Sequence, residues 1–539
     1  LEDYQAFMAP ASESSLPHCV IGSGPAGVAC AHALLERGAN VLLLDAGLSL
    51  EAPRAEVVNR MKGLAPSQWD PALLAKFKAG MSATSKGIPL KLAYGSDYPY
   101  READLHLPAD YEGVALRPSL GRGGFSAVWG AAMMPYSAAD TADWPVRAAE
   151  LAPHYVAVAK LTGLSAIADD LAAIFPLHAA PPAALKLSRQ AGQLRSRMEQ
   201  NRAALRAAGI HFGQARVAAK AGSDGCVYCG LCMYGCPYGF IYNAEQTLAQ
   251  LQQSPAFTYR TNAVVTDVRE DGAIVRIAGY DRLTRAPFEL AAQRAYVGAG
   301  VVSTARLVLR SLGLYERTVR LKDSQYYLFP LLLSQSGGDV RTESLHTLSQ
   351  MFIEIFDDEI TRRSIHLQVY SYSDLIGHAV RRPFRVFGGA MEWFARRMEE
   401  RLLIVQGYLH SDHSSQIAIR LSKGDPDRLR LQAELNPQVR PMIQRVLAKL
   451  RRHRRQLGAW PISPMLQVAE PGRGFHNGSS FPMSANPGEL ETDTLGRLPA
   501  WKRIHLVDAS ILPDIPATQI TFSVMANAHR IGWHGPDLS

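Results

Sequence analysis

Apolar and helical patterns alternate from the N-terminus. Cys19 to Gly22 predicts the end of a buried strand, Pro25 to Arg37 a helix, and Asn40 to Asp45 (N-V-L-L-L-D) a second strand, which together make a βαβ unit. Asn262 to Val268 alternates as a strand. Ala295 to Gly300 reads as a strand ending in glycines ahead of a helical pattern over Ser303 to Leu312. Both look like returns to the first layer, so the unit it belongs to is expected to be discontinuous. Lys322 to Glu470 mixes alternating stretches such as Ser364 to Tyr372 with helical ones such as Met442 to Leu457, which suits a sheet backed by helices. No internal repeat or low-complexity segment interrupts this order.

Between the first strand and helix lie Gly22, Gly24 and Gly27. In a G-x-G-x-x-G turn the first glycine permits the tight bend, the second lets a pyrophosphate approach the backbone, and the third lets helix and strand pack closely. The pyrophosphate would rest on the helix N-terminus, where free N–H groups favour an anion. Asp45 ends the second strand, at the spacing of a carboxylate that binds ribose hydroxyls and repels a 2′-phosphate, so NADP is not expected.

A chain of 539 residues should hold about two to four domains, and 47% hydrophobic with 20% charged residues is a globular composition. No apolar run approaches the roughly eighteen residues of a membrane-spanning helix; Tyr326 to Leu333 is short and interrupted by Pro330. The net charge of +8 arises largely around Arg381, Arg382 and Arg385 and at Lys449, Arg451, Arg452, Arg454 and Arg455. Neither stretch belongs to a recognised nucleic-acid module, and no nucleic-acid partner is expected. From Ile376 to Leu403 basic residues mix with Phe384, Phe387, Trp393 and Phe394, so peripheral membrane contact is conceivable, with a solvated helix face the simpler reading. No signal peptide is visible in residues 1 to 17, which favours the cytoplasm. A periplasmic location stays open, since a removed leader would leave no trace.

Cys226, Cys229, Cys232 and Cys236, followed by Pro237, form C-x2-C-x2-C-x3-C-P in a chain with six cysteines. That is the spacing of an iron–sulfur ligand run. In two-cluster ferredoxins the fourth cysteine serves the other cluster, and no second run exists here. Either Cys236 completes a 4Fe–4S cluster, which is favoured, or three cysteines hold a 3Fe–4S one. Zinc and a metal-free turn are the alternatives.

The C-terminal third carries Phe475-His476-Asn477-Gly478-Ser479-Ser480-Phe481-Pro482-Met483 and Val507-Asp508-Ala509-Ser510-Ile511-Leu512-Pro513. A glycine-dense stretch, Gly123-Gly124-Phe125-Ser126-Ala127-Val128-Trp129-Gly130, stands earlier. On these motifs the chain resembles the glucose-methanol-choline (GMC) flavoprotein oxidoreductases from about Pro17 to Trp533, least in the middle third. The second motif leads into Thr521 to Ile531. Ser479 and Ser480 stand where the family usually has glycine and threonine, and Trp129 where it has asparagine.

The resemblance implies an α/β (α+β overall) fold. A discontinuous Rossmann-like FAD-binding domain would be built from residues 1–150, 221–321 (with the cysteine segment) and 471–539. A substrate domain of sheet plus helices would come from 151–220 and 322–470. It implies non-covalent FAD held by Gly22, Gly24, Gly27, Asp45, Gly123, Gly124, Ser126, Val264, Asp508 and Ala509. It carries over His476 as the base facing flavin N5, and Gln519, with Thr518 as competitor, at the second active-site position. A neutral imidazole suits removal of a hydroxyl proton as hydride leaves carbon, and an amide can donate to the substrate oxygen. Some GMC sugar dehydrogenases carry a cysteine-ligated cluster in this part of the chain. The expected activity is therefore FAD-dependent dehydrogenation of an alcohol, a sugar or polyol, with electrons relayed through the cluster to an external acceptor. Polar residues of the middle segment such as His366, Gln368, Tyr370, Tyr372, His410 and His413 could face that substrate. Two other readings are a GMC-type alcohol oxidase with a structural cysteine turn and a non-catalytic electron-transfer or partner-binding subunit.

Overall fold

The computed structural model describes residues 16–80, 90–180, 183–381 and 391–535. Arg382, Phe384, Arg385 and Phe387 lie outside them. Among the described residues a parallel sheet runs in the order Ile504–Leu506, Arg294–Val297, His18–Ile21, Val41–Leu44, Phe257–Arg260. The three central strands are buried at every position, as strands covered on both faces must be. This is an α/β fold whose parallel layer is assembled from distant parts of the chain. The helices Pro25–Glu36 and Ile520–His534 pack against each other beside it.

Ala263–Asp271 does not return to that layer. It pairs antiparallel with Ile274–Asp281, which pairs with Pro287–Ala292, and the shorter Phe257–Arg260 takes the edge of the parallel sheet instead. Ala295 and its neighbours do join it, beside His18–Ile21.

A second, antiparallel sheet contains Ile210–Gln214, Met351–Asp357, Thr361–Tyr370, Leu402–Tyr408, Tyr326–Leu333 and Ala459–Pro461. The amphipathic helices Arg189–Gln200 and Val439–Arg452 contribute Leu194, Met198, Ile443 and Leu447 to the core on one of its faces. A further sheet, in which Thr318–Asp323 pairs with Asn477–Gly478, ties that strand to the segment that follows His476. No described helix is long and apolar enough to cross a membrane.

Candidate active site

The fingerprint turn behaves as its glycine spacing predicts. Gly22 holds φ +100°, and a Cβ there would stand 2.5 Å from the Gly298 carbonyl oxygen. At Gly27 a Cβ would stand 1.8 Å from the Gly22 carbonyl oxygen, so helix and turn meet there. At Gly24 no atom beyond its chain neighbours lies within 4 Å of that position, which opens onto a cavity of ≈ 200 Å³. Asp45 lines the same cavity. Its Oδ2 accepts from Ser23 Oγ (2.5 Å) and Tyr259 OH (3.2 Å), while burial pushes its carboxyl up to about 6. Val264 lines an adjoining cavity of ≈ 70 Å³ that shares Gly22 and Asp45 in its wall.

Gly121, Gly124 and Phe125 of the glycine-dense loop form part of the cleft wall. Gly123 and Gly124 are both left-handed, and the Gly123 N–H donates to Ser23 Oγ at 3.0 Å. Ser126 Oγ donates to the Gly123 carbonyl and lies 2.9 Å from Asn243 Oδ1, so this hydroxyl is committed to holding the loop. The Trp129 indole N–H donates to the Tyr242 carbonyl (2.8 Å). Asp508 is likewise engaged by the protein: its carboxylate accepts from Gly300 N, Thr304 Oγ1 and Ser510 N. It shapes the cavity wall together with Ala509.

His476 and Gln519 line one large cavity of ≈ 620 Å³, which shares Pro25, Phe125, Phe475 and Thr521 with the cleft along the fingerprint helix. Phe475 (φ 55°) and Ser479 (φ 68°) adopt left-handed conformations that bracket His476. Ser479, standing where a glycine is usual, is held there by its Oγ donating to the Pro513 carbonyl at 2.8 Å. The His476 ring stacks on Tyr408, with centroids 4.5 Å apart, and its Nδ1 is buried without a hydrogen-bond partner. Burial, helped by nearby His366, pushes His476 down to about 3, so the imidazole is neutral.

Gln519 rather than Thr518 faces this cavity; Thr518 is fully buried and lines none of the three. Gln519 Nε2 contacts His366 Nε2, and His366 Nδ1 contacts Glu354 Oε1. Glu354 and His366 are directly paired on neighbouring strands. If Glu354 accepts the Nδ1 proton, His366 Nε2 accepts from the Gln519 amide. Gln519 Oε1 and a second amide hydrogen then remain unpaired. Sequence reasoning missed Glu354, although an acid inside the apolar run M-F-I-E-I-F was the available signal. It also missed Gln406 and Tyr408, which line the cavity with Gln368 and Tyr370. Of the other middle-segment residues, Tyr372, His410 and His413 do not line it. Lys91 and Arg473 supply its charged side chains.

The four cysteines of the run line an apolar cavity of ≈ 20 Å³ together with Phe240, Ile241, His346 and Leu348. Backbone N–H groups of Tyr228, Thr347 and Phe240 donate to Cys226, Cys232 and Cys236 sulfurs at 3.4, 3.4 and 3.3 Å. Burial pushes the Cys226 and Cys229 thiols up to about 12. Leu348 lines both this cavity and the large one, and Met233, next to Cys232, lines the large one. Lys91 donates to the Trp129 carbonyl at 2.8 Å. Burial pushes its ammonium down to about 8, against the opposing pull of Cys232 and Cys236.

A family model described as an NAD(P)-binding Rossmann-like domain matches residues 20–52. No curated protein sequence matches the chain. Among solved structures, the chain is similar to pyridoxine 4-oxidase from Mesorbium loti, with 16% identity, a TM-score of 0.59, and 96% of this chain and 98% of that one covered. It is also similar to a formate oxidase, with 13% identity, a TM-score of 0.58, and 97% and 98% covered. At these identities the likeness is one of fold.

Proposed function

We propose that the protein is an FAD-dependent oxidoreductase of the GMC type that oxidises an alcohol. His476 takes the hydroxyl proton and Gln519 orients the oxygen. The observation that carries this reading is the convergence of those two side chains on one cavity continuous with the fingerprint cleft. The cleft suits an FAD: the space at Gly24 admits a pyrophosphate, Asp45 stands beside Gly22 for the ribose, and Gly124 in its wall allows close backbone approach, while Gly123 faces Asn243. Bound flavin would supply the two-electron hydride acceptor. The chain's own part is to hold the C–OH group, keep His476 unprotonated, and present the unpaired amide groups of Gln519 to the substrate oxygen. Polar Gln368, Tyr370 and Gln406 suit a hydroxyl-rich head such as a sugar or polyol. Leu328, Ile376, Val380 and Ile404 suit an apolar extension.

The cysteine run suits an iron–sulfur cluster by its spacing, its apolar lining and its N–H donors to sulfur. Leu348 lines both that site and the large cavity, so the two lie near each other. This supports a dehydrogenase that passes electrons singly to an external acceptor. A second reading is an alcohol oxidase with a structural cysteine turn, favoured by the two oxidases of like fold. Anaerobic reduction by substrate followed by oxygen exposure distinguishes the two. Slow reoxidation, with iron and sulfide in the protein, supports the dehydrogenase, and prompt stoichiometric peroxide supports the oxidase. In the same assay His476→Ala should abolish most substrate-driven flavin reduction. Undiminished reduction would overturn the catalytic assignment and favour a non-catalytic subunit.

A further inference from the structure

A second cluster of ligand-type side chains joins the fingerprint helix to the C-terminal helix, away from the fingerprint turn. His32 and Glu36 stand one turn apart on Pro25–Glu36, with His32 about 12 Å along the axis from Gly24. His529 meets them from Ile520–His534. Glu36 Oε2 lies 3.3 Å from His32 Nδ1 and 3.2 Å from His529 Nε2, and one donor atom from each residue lies within 4.8 Å of the others. The two separations from Glu36 lie close to the edge of a ligand tetrahedron, about 3.4 Å for metal–ligand bonds of ~2.05 Å.

Two details favour a shared ligand over simple pairing. His32 Nδ1 is buried and makes no hydrogen bond despite its short approach to Glu36. The far nitrogen of His529, Nδ1, lies 2.9 Å from His154 Nδ1, the outer contact that fixes the tautomer of a metal-bound imidazole.

We propose that His32, Glu36 and His529 form a binding site for a zinc-type dication, with water completing the tetrahedron. The ion would tie the helix that begins at the fingerprint turn to the helix that begins after Gln519. It would therefore act on stability and leave the chemistry untouched.

The test is zinc content and thermal midpoint of the holoenzyme after dialysis against Zn²⁺ and then metal-free buffer, for the native protein, His32→Ala and Glu36→Gln. Both substituted side chains are partly exposed, and unchanged flavin content would verify the fold. The expected result is one retained equivalent that raises the midpoint, with affinity at least tenfold weaker and the shift lost in both variants. Zinc retention that is negligible in the native protein, or equal in all three, overturns the proposal. Equal retention would place the ion on the cysteines, a result independent of the flavin chemistry.

Discussion

His476 keeps its lone pair because burial disfavours the imidazolium, and this sets the pH dependence of its work. A base acts in its neutral form. A solvated imidazole would lose activity below about 6.5, whereas one depressed to about 3 stays competent through mildly acid pH. The anaerobic rate of flavin reduction should therefore be flat from about pH 7.5 down to about pH 5; a fall centred on 6.5 would contradict the assignment. His476→Ala should lower that rate by roughly 10²- to 10⁴-fold. In the proposed mechanism His366, in contact with Gln519, serves as a positioning residue. His366→Leu should lower kcat by about tenfold or more with little change in KM, and His366→Gln, which can still meet Gln519, should recover part of the loss. Equal losses in the two variants would mean that His366 only fills space.

The fingerprint helix separates two glycine roles that the spacing alone assigns. Gly27→Ala places a methyl 1.8 Å from the Gly22 carbonyl oxygen, so helix and turn must move apart. A loss of about 1–3 kcal/mol or more should appear as a lower denaturation midpoint. Gly24→Ala meets no such contact. It should leave stability without cofactor nearly unchanged while reducing FAD content, because the methyl enters the space open to the pyrophosphate. The βαβ unit was readable because both strands are buried runs and the turn needs glycine locally. The misreading of Asn262 to Val268 is as instructive. Its alternation does predict a strand, but the partner of that strand depends on where the preceding Phe257–Arg260 lands, and a four-residue F-T-Y-R edge strand has little periodicity to show.

The folded chain as a unit should lose stability on acidification. His18, His154, His346, His476, His505 and His529 are lowered to between about 3 and about 4, chiefly by burial. Below about 6.5 the unfolded chain binds protons at these positions that the folded one does not, so each contribution is lost as pH falls. Asp323, raised to about 7, and Asp45, raised to about 6, act the other way between about pH 4 and 7. Asp140, Asp169, Glu354 and Asp508 are raised by burial too, but with His32, His106, His178, His211, His413, His453 and His534 also lowered by burial, the histidines outnumber the acids. Thermal midpoints should therefore drop from about pH 7 to about pH 5, and a rise would mean the histidines are solvated.

What could be read from the residues alone was whatever a few neighbours decide: glycine turns, buried strands beside them, the spacing of four cysteines, and a histidine set in a recognisable motif. Folding decided the rest, because strand pairing and cavity walls depend on contacts between distant parts of the chain. Gln519 and His366 are 153 positions apart, yet they meet because Thr361–Tyr370 lies inside the antiparallel sheet. Glu354 reaches them only through its register opposite His366. The exclusion of Thr518 from the cavity, and the Leu348 side chain common to the cysteine cavity and that of His476, follow from packing that no local pattern encodes.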